Sequence, residues 1–476
     1  MTTISRRLRL LVSLSAALAA ALTSGRARAA GFLNDQFGSD HGQPALGNAY
    51  SVYFNPAAMA GMTGSQLTLD GVAVARSMEY DRDASALSPS NGSTQTQNPT
   101  YQQANTGTAK LFNVLGAPYV GFVTDFGGSH LRLGVASYVP FGGEVSWQKN
   151  QAYADSATAP GAYDGPQRWQ SISTTISSLY ETAALAYRFD KARLGIGASF
   201  SVIRTGVTDV RARNLDGSDD ILTNTGALKE GRAYLDVSGL EVGAAAGIYW
   251  EPKADGTLRL GASYTSQPNF GTMRLKGSFR FQPGALTPNE TVTDVDLLQA
   301  FPDVIRAGMA WRLAHDAELR VDVTWERWSE FKNQCVVPTG GSCAVDSQGV
   351  TSSTSPLLNL PRDWQDSVKG RVGGSYWITP ETEVFASFAL GSSPVGPSNE
   401  DALTFDSARL DWTLGGSYQF SKHVVGQLAY SYVYFLPVTV TSSAYPSYPG
   451  INQSPSANGS YSSEMYVFDA AVSYLF

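Results

Sequence analysis

Arg409 to Phe420 reads RLDWTLGGSYQF. Leu410, Trp412, Leu414, Tyr418 and Phe420 fall on one face, and Arg409, Asp411, Thr413, Ser417 and Gln419 on the other. Such period-two alternation marks a β-strand held between apolar and polar surroundings. The next segment repeats it, with Val424, Leu428, Tyr430, Tyr432 and Tyr434 alternating against Gln427, Ala429, Ser431 and Val433. The last segment, MYVFDAAVSYLF, lines up Tyr466, Phe468, Ala470, Val472, Tyr474 and Phe476. A sheet with both faces occupied in every strand fits a wall between lipid and a polar lumen better than a soluble sandwich.

Working backwards, about fourteen such segments begin near residues 65, 109, 130, 173, 193, 232, 257, 303, 317, 363, 381, 409, 422 and 463. An even strand number suits a single-chain antiparallel outer-membrane barrel. The connections agree. Short turns (DFGGSH, FDKAR, EPKADG, LAHDA, ITPET, FSKH) alternate with long polar segments such as Asp81 to Thr108, Lys149 to Ile172 and Glu330 to Arg362. Short turns at one rim and long loops at the other are the outer-membrane pattern. Trp250, Trp311, Trp325, Trp328, Trp377 and Trp412 lie near strand ends, where barrels place aromatic girdles. Only 16% of residues are charged, against about 25% in soluble proteins, yet the mature chain has no run of about 20 apolar residues for a helical span. The fold expected is an all-β membrane protein, a transmembrane β-barrel of about 14 antiparallel strands over residues 64–476.

Two segments precede it. Arg6, Arg7 and Arg9, the apolar run Leu10 to Leu22 and the small-x-small triplet Ala27-Arg28-Ala29 make residues 1–29 a signal peptide. Its removal leaves 29 basic against 41 acidic side chains, a net charge of −12, which excludes the basic stripe of a nucleic-acid binder. Residues 30–63 are rich in Gly, Ala, Asn and Pro but carry Phe32, Phe37, Tyr50, Tyr53 and Phe54. That aromatic content argues for a compact plug, or hatch, in a lumen wide enough to need filling. Within it, Asn55-Pro56-Ala57 reads as a cap that opens a short helix.

Candidate sites follow from residue type. Cys335 and Cys343 lie close together in a polar segment with no histidine nearby, so one local disulfide is expected rather than a metal site. Alternation points Arg259, Arg306, Arg320, Lys369, Arg371 and Arg409 into the lumen, with Asp322, Glu326 and Asp411. Most such charges serve ion pairs, because buried charges need partners. One or two could hold a ligand carboxylate, and Arg306, Arg320 and Arg371, on neighbouring strands, are the candidates. Pro140, Phe141, Gly142 and Gly143 interrupt the third strand. Proline removes a ladder donor and glycine weakens a strand, so an inward kink and a side opening in the wall are expected there, with an ordinary bulge near the outer rim as the alternative. Barrel lipases and proteases are the competing class. His130, His315 and His423 fall in or beside short turns and His41 in the plug, none beside a plausible serine, so no enzyme is expected. No nucleotide-binding glycine motif occurs, and no cofactor is expected.

Taken in order, several stretches resemble the FadL-type outer-membrane transporters for long-chain fatty acids and other hydrophobic compounds. They are Ala30-Gly31-Phe32, Asn55-Pro56-Ala57, LRLGASYTS (Leu258 to Ser266), the proline-led strand pair Phe301 to Phe331, Leu360 to Thr379 and GSSPVG (Gly391 to Gly396). The stretch between Gly47-Asn48-Ala49 and Asn55 is shorter than in the best-known members. The resemblance implies a monomeric outer-membrane channel that takes up hydrophobic small molecules, fatty acids above all. It also implies a gating plug and lateral exit to outer-membrane lipid at Pro140 to Gly143. Alternatives are an aromatic hydrocarbon channel of the same family, or a structural or adhesive barrel.

Overall fold

The computed structural model describes residues 37–284 and 289–476; the expected signal peptide, 1–29, and the first residues of the expected plug, 30–36, lie outside them. Six strands lead: β1 (Ser65–Arg82), β2 (Gly107–Thr124), β3 (Leu131–Ser146), β4 (Ser173–Phe189), β5 (Leu194–Arg213) and β6 (Gly231–Trp250). After β7 (Leu258–Thr265), β8 (Met273–Gln282) and β9 (Thr291–Gln299) come β10 (Val304–Ala314) and β11 (Ala317–Glu326). The short β12 (Asn333–Pro338) and β13 (Leu358–Pro361) precede the last five. These are β14 (Ser367–Thr379), β15 (Thr382–Gly391), β16 (Arg409–Gln419), β17 (Val424–Val440) and β18 (Gly459–Leu475). Fourteen of them close an antiparallel wall, β1–β7, β10, β11 and β14–β18, with β1 pairing both β2 and β18.

The strands form where the sequence alternates because each wall residue meets lipid or lumen. In β18, Phe468 and Val472 are exposed, while Met465, Val467, Asp469 and Ala471 on the opposite face are buried. Closure joins the ends: Gln66 pairs with Leu475, and the Phe476 N–H donates to the Ser65 carbonyl at 2.9 Å. No lipid-facing edge is then left unpaired by β1 or β18, as the bilayer demands.

Two corrections apply. Four further strands stand at the long-loop rim, where sequence reading expected loop. β8 pairs the upper part of β6, β9 pairs β8 and β12, and β12 pairs β13. Trp328, expected in a girdle, is buried inside the barrel. Trp250, Trp311 and Trp412 do face outward, 39–46% exposed.

Candidate functional site

The described part of the plug, residues 37–62, fills the short-turn half of the lumen. Its backbone lies directly on the wall. A Cβ at Gly247 would overlap Asn55 Oδ1, and one at Gly261 the Pro44 carbonyl oxygen, so the wall must be glycine at both places. Asn55 organises the contact. Its Oδ1 accepts from the Ala57 N–H at 3.1 Å and opens the 3₁₀ turn Pro56–Gly61. Its Nδ2 donates to the carbonyls of Pro44 at 2.8 Å and Ile248 at 2.9 Å, joining two plug turns to β6. Asn55→Ala should leave assembly intact but remove three hydrogen bonds of a fully buried side chain. We expect about 1–3 kcal/mol less local stability, read as faster amide exchange confined to the plug; unchanged exchange refutes the assignment.

The three candidate arginines meet the plug. Arg306 on β10 donates to the Tyr53 hydroxyl at 2.5 Å, and its guanidinium lies 4.4 Å from that ring's centre. Arg320 on β11 reaches Asp40 at 3.2 Å, Glu318 at 2.9 Å and Glu383 at 3.1 Å. Arg371 on β14 pairs with Asp322 at 2.7 Å and donates to the carbonyls of Ser39 at 3.0 Å and Gly42 at 2.7 Å. His41 completes the layer 3.1 Å from Glu383. Three further cations that alternation points inward are ion-paired: Arg259 with Glu318, Lys369 with Asp411 and Arg409 with Asp406.

Above the plug lies a cavity with about 1170 Å³ of atom-free space, part of it continuous with solvent. Ile176, Leu235, Leu358, Leu360, Trp364 and Phe435 line it among other apolar side chains, and Trp328 stands 5.0 Å from Trp364. Four cationic or anionic clusters break the apolar surface: Arg76, Asp209 with Arg211, Arg409 with Asp406, and Glu326. Arg76 on β1 differs from the rest. It donates to Ser463 Oγ at 3.2 Å and the Phe405 carbonyl at 3.1 Å, but no carboxylate among the described residues is within ion-pair distance. Burial, opposed by Arg409 and Arg76, pushes the Asp406 carboxyl up to about 6. Sequence reading missed Arg76, although a lone cation among Val72, Val74, Met78 and Tyr80 on one strand face was visible.

Three long loops are clasped over the cavity. Arg362 donates to Asp401 at 2.6 Å and to Gln334 Oε1 at 2.7 Å, while the Tyr445 hydroxyl donates to the Asn399 carbonyl at 2.7 Å and Asp401 at 3.1 Å. Burial alone would raise the Asp401 carboxyl; the Arg362 guanidinium outweighs it and holds the group below its ordinary value. In the β11–β14 loop, Cys335 and Cys343 are bonded to each other.

The cavity reaches the wall at β3, whose Gly143 and Val145 line it. β2 and β3 pair from Thr124↔Leu133 to Tyr119↔Tyr138, and the ladder then stops. The strands meet again at the bridge Leu111↔Trp147, helped by the Asn113 side chain on Ser146. Between these points β3 slips its register on β4, from Tyr138 to Phe141. Val139, Pro140 and Phe141 are buried, and the Phe141 ring stacks on Phe301 at 4.9 Å inside the barrel. Opposite the gap, Phe112 and Val114 of β2 are 56% and 65% exposed. Pro118 of β2 also lies in the unpaired stretch, a second missing donor that sequence reading overlooked.

A closed barrel with a lumen plug, an apolar cavity and an apolar outer band defines an outer-membrane channel for hydrophobic compounds. The chain belongs to the outer membrane protein transport family (OMPP1/FadL/TodX), whose model matches residues 20–476. A curated relative, outer membrane protein NMB0088 of Neisseria meningitidis serogroup B, is 21% identical, and the match covers 81% of each chain. Among solved structures, a Pseudomonas aeruginosa FadL homologue is 17% identical with a TM-score of 0.72, covering 94% of this chain and all of that one. The Ralstonia pickettii toluene transporter TbuX is 16% identical with a TM-score of 0.58, covering 94% and 98%. The family and these neighbours are transporters and channels, and the chain is an outer-membrane protein.

Proposed function

We propose that this channel takes up long-chain fatty acids passively, as a monomer, and delivers them sideways into outer-membrane lipid. A passenger enters the apolar cavity under the clasped loops and lays its tail along Leu235, Leu358 and Phe435. Its carboxylate meets Arg76. The plug closes the straight path to the short-turn rim, with Arg306, Arg320 and Arg371 as its fastenings. Release runs between β2 and β3, past Gly142 and Gly143.

The observation that carries the reading is Arg76, a cation in an apolar cavity with no ion-pair partner among the described residues. A charge-assisted hydrogen bond contributes about 1.5–3 kcal/mol, so losing it lowers affinity about 10–100-fold. Arg76→Gln should therefore weaken oleate binding by that factor and leave toluene binding unchanged, measured on protein in mild detergent. Equal oleate affinity in the two proteins refutes the fatty-acid reading.

The aromatic lining by Trp328, Trp364, Phe405 and Phe435 favours a second reading, uptake of aromatic hydrocarbons. The TbuX structure is described as a toluene transporter. Mass spectrometry of molecules co-purified with the channel separates the two: fatty acids support the first, neutral aromatics the second.

A further inference from the structure

The wall opening has a polar edge that barrel closure does not require. Ser137 is the last side chain of β3 to face outward before the kink, and it pairs with Glu181 of β4. Ser137 Oγ donates to Glu181 at 2.9 Å. Glu181 is exposed on the outer face. Around it that face is apolar: Val135, Leu185, Phe200 and Val202 are all exposed. A carboxylate among lipid-facing side chains costs stability, the more so with depth. Arg204 of β5, paired with Leu179 and so one alternation nearer the long loops, forms no ion pair with it among the described residues. Glu181 therefore stands as an acceptor beside the mouth, hydrogen-bonded to Ser137 and facing the bilayer.

We propose that Ser137 and Glu181 form an exit subsite for the hydrogen-bond-donating head of an amphipathic passenger, a protonated carboxylic acid or a hydroxyl. The inference rests on lateral release between β2 and β3. An ionised carboxylate only accepts hydrogen bonds. It repels a carboxylate head in surroundings of low dielectric and binds the same head once a proton is on it. That proton comes from solvent in the lumen, one hydronium ion giving it to the passenger carboxylate and leaving water. The tail then lies in lipid while the acid O–H rests on Glu181, so the passenger enters the bilayer uncharged.

The test compares uptake of a long-chain fatty acid and of its methyl ester, which has no donor, by cells carrying wild-type or variant channel. Glu181→Leu should lower uptake of the acid about tenfold and leave the ester unchanged, the loss of one hydrogen bond to a charged group. Glu181→Gln keeps an acceptor oxygen and should retain most acid uptake. Wild-type acid uptake by Glu181→Leu overturns the subsite, and so does an equal fall for acid and ester, which a structural role would give. A variant with the β3 wall repaired separates the parent reading. If it still takes up acid, lateral release is wrong and the subsite falls with it. If it takes up none while Glu181→Leu behaves as wild type, the subsite alone is wrong.

Discussion

The variant Pro140→Val, Phe141→Thr, Gly142→Val, Gly143→Thr is expected to lose most uptake while still assembling and binding its passenger. The ladder between β2 and β3 stops at Tyr119↔Tyr138 and resumes at the bridge Leu111↔Trp147. Unpaired backbone facing lipid is costly, so the gap persists only because the sequence withholds partners. Pro140 has no N–H to give, and Gly142 and Gly143 carry no side chains to hold an extended run. β-branched residues restore both. Phe141 now packs inward on Phe301 and Tyr180; threonine removes the ring that draws the strand into the lumen. Pro118 on β2 would leave one rung short, which a bulge tolerates. Migration of unboiled against boiled protein on a gel checks assembly, and oleate affinity checks the cavity. Wild-type uptake by a correctly assembled variant would overturn lateral release.

How far the fold could be read from residues depended on what surrounded them. The fourteen wall strands were legible to within a few residues because lipid on one side and lumen on the other force period two on every strand. β8, β9, β12 and β13 were not. At the long-loop rim no bilayer meets their outer faces, so alternation fades: β12, read as NQCVVP, is buried at four consecutive positions. Trp328 misled for a related reason, since a tryptophan at the end of a wall strand can serve a membrane interface or fold inward. It folds inward in the turn just past β11, where Glu326 at the end of that strand accepts its indole N–H at 2.7 Å.

The site was legible in orientation and not in contact. Alternation pointed Arg306, Arg320 and Arg371 into the lumen, and there they are. Which group each one meets depends on where the plug lies, and residue spacing carries no signal for that. Arg76 stands alone among Val72, Val74, Met78 and Tyr80 on β1, and a single cation on an apolar strand face does not show by its spacing whether an ion pair or a ligand meets it. The β3 interruption was visible because proline followed by two glycines breaks a rule of strand composition, and such breaks mark places where local preference yields to function.

Arg320→Ala is expected to free the plug without harming the wall. The guanidinium is buried and bonded at once to Asp40 of the plug, Glu318 of β11 and Glu383 of β15. Its removal leaves three buried carboxylates facing one another, with Arg259 and Arg312 near Glu318 and His41 at Glu383 as partial compensation. Breaking a buried pair by deleting one partner costs about 3–5 kcal/mol. That cost falls on the plug contact, because β11 keeps its full ladders to β10 and β14. The expected result is normal heat-modifiable migration together with proteolysis or rapid amide exchange over residues 37–62 and raised ion conductance in planar bilayers. Arg320→Lys should fall between, since an ammonium keeps the charge but cannot fork among three carboxylates. If Arg320 serves a passenger instead, the outcome inverts: plug protection stays at the wild-type level and oleate affinity drops.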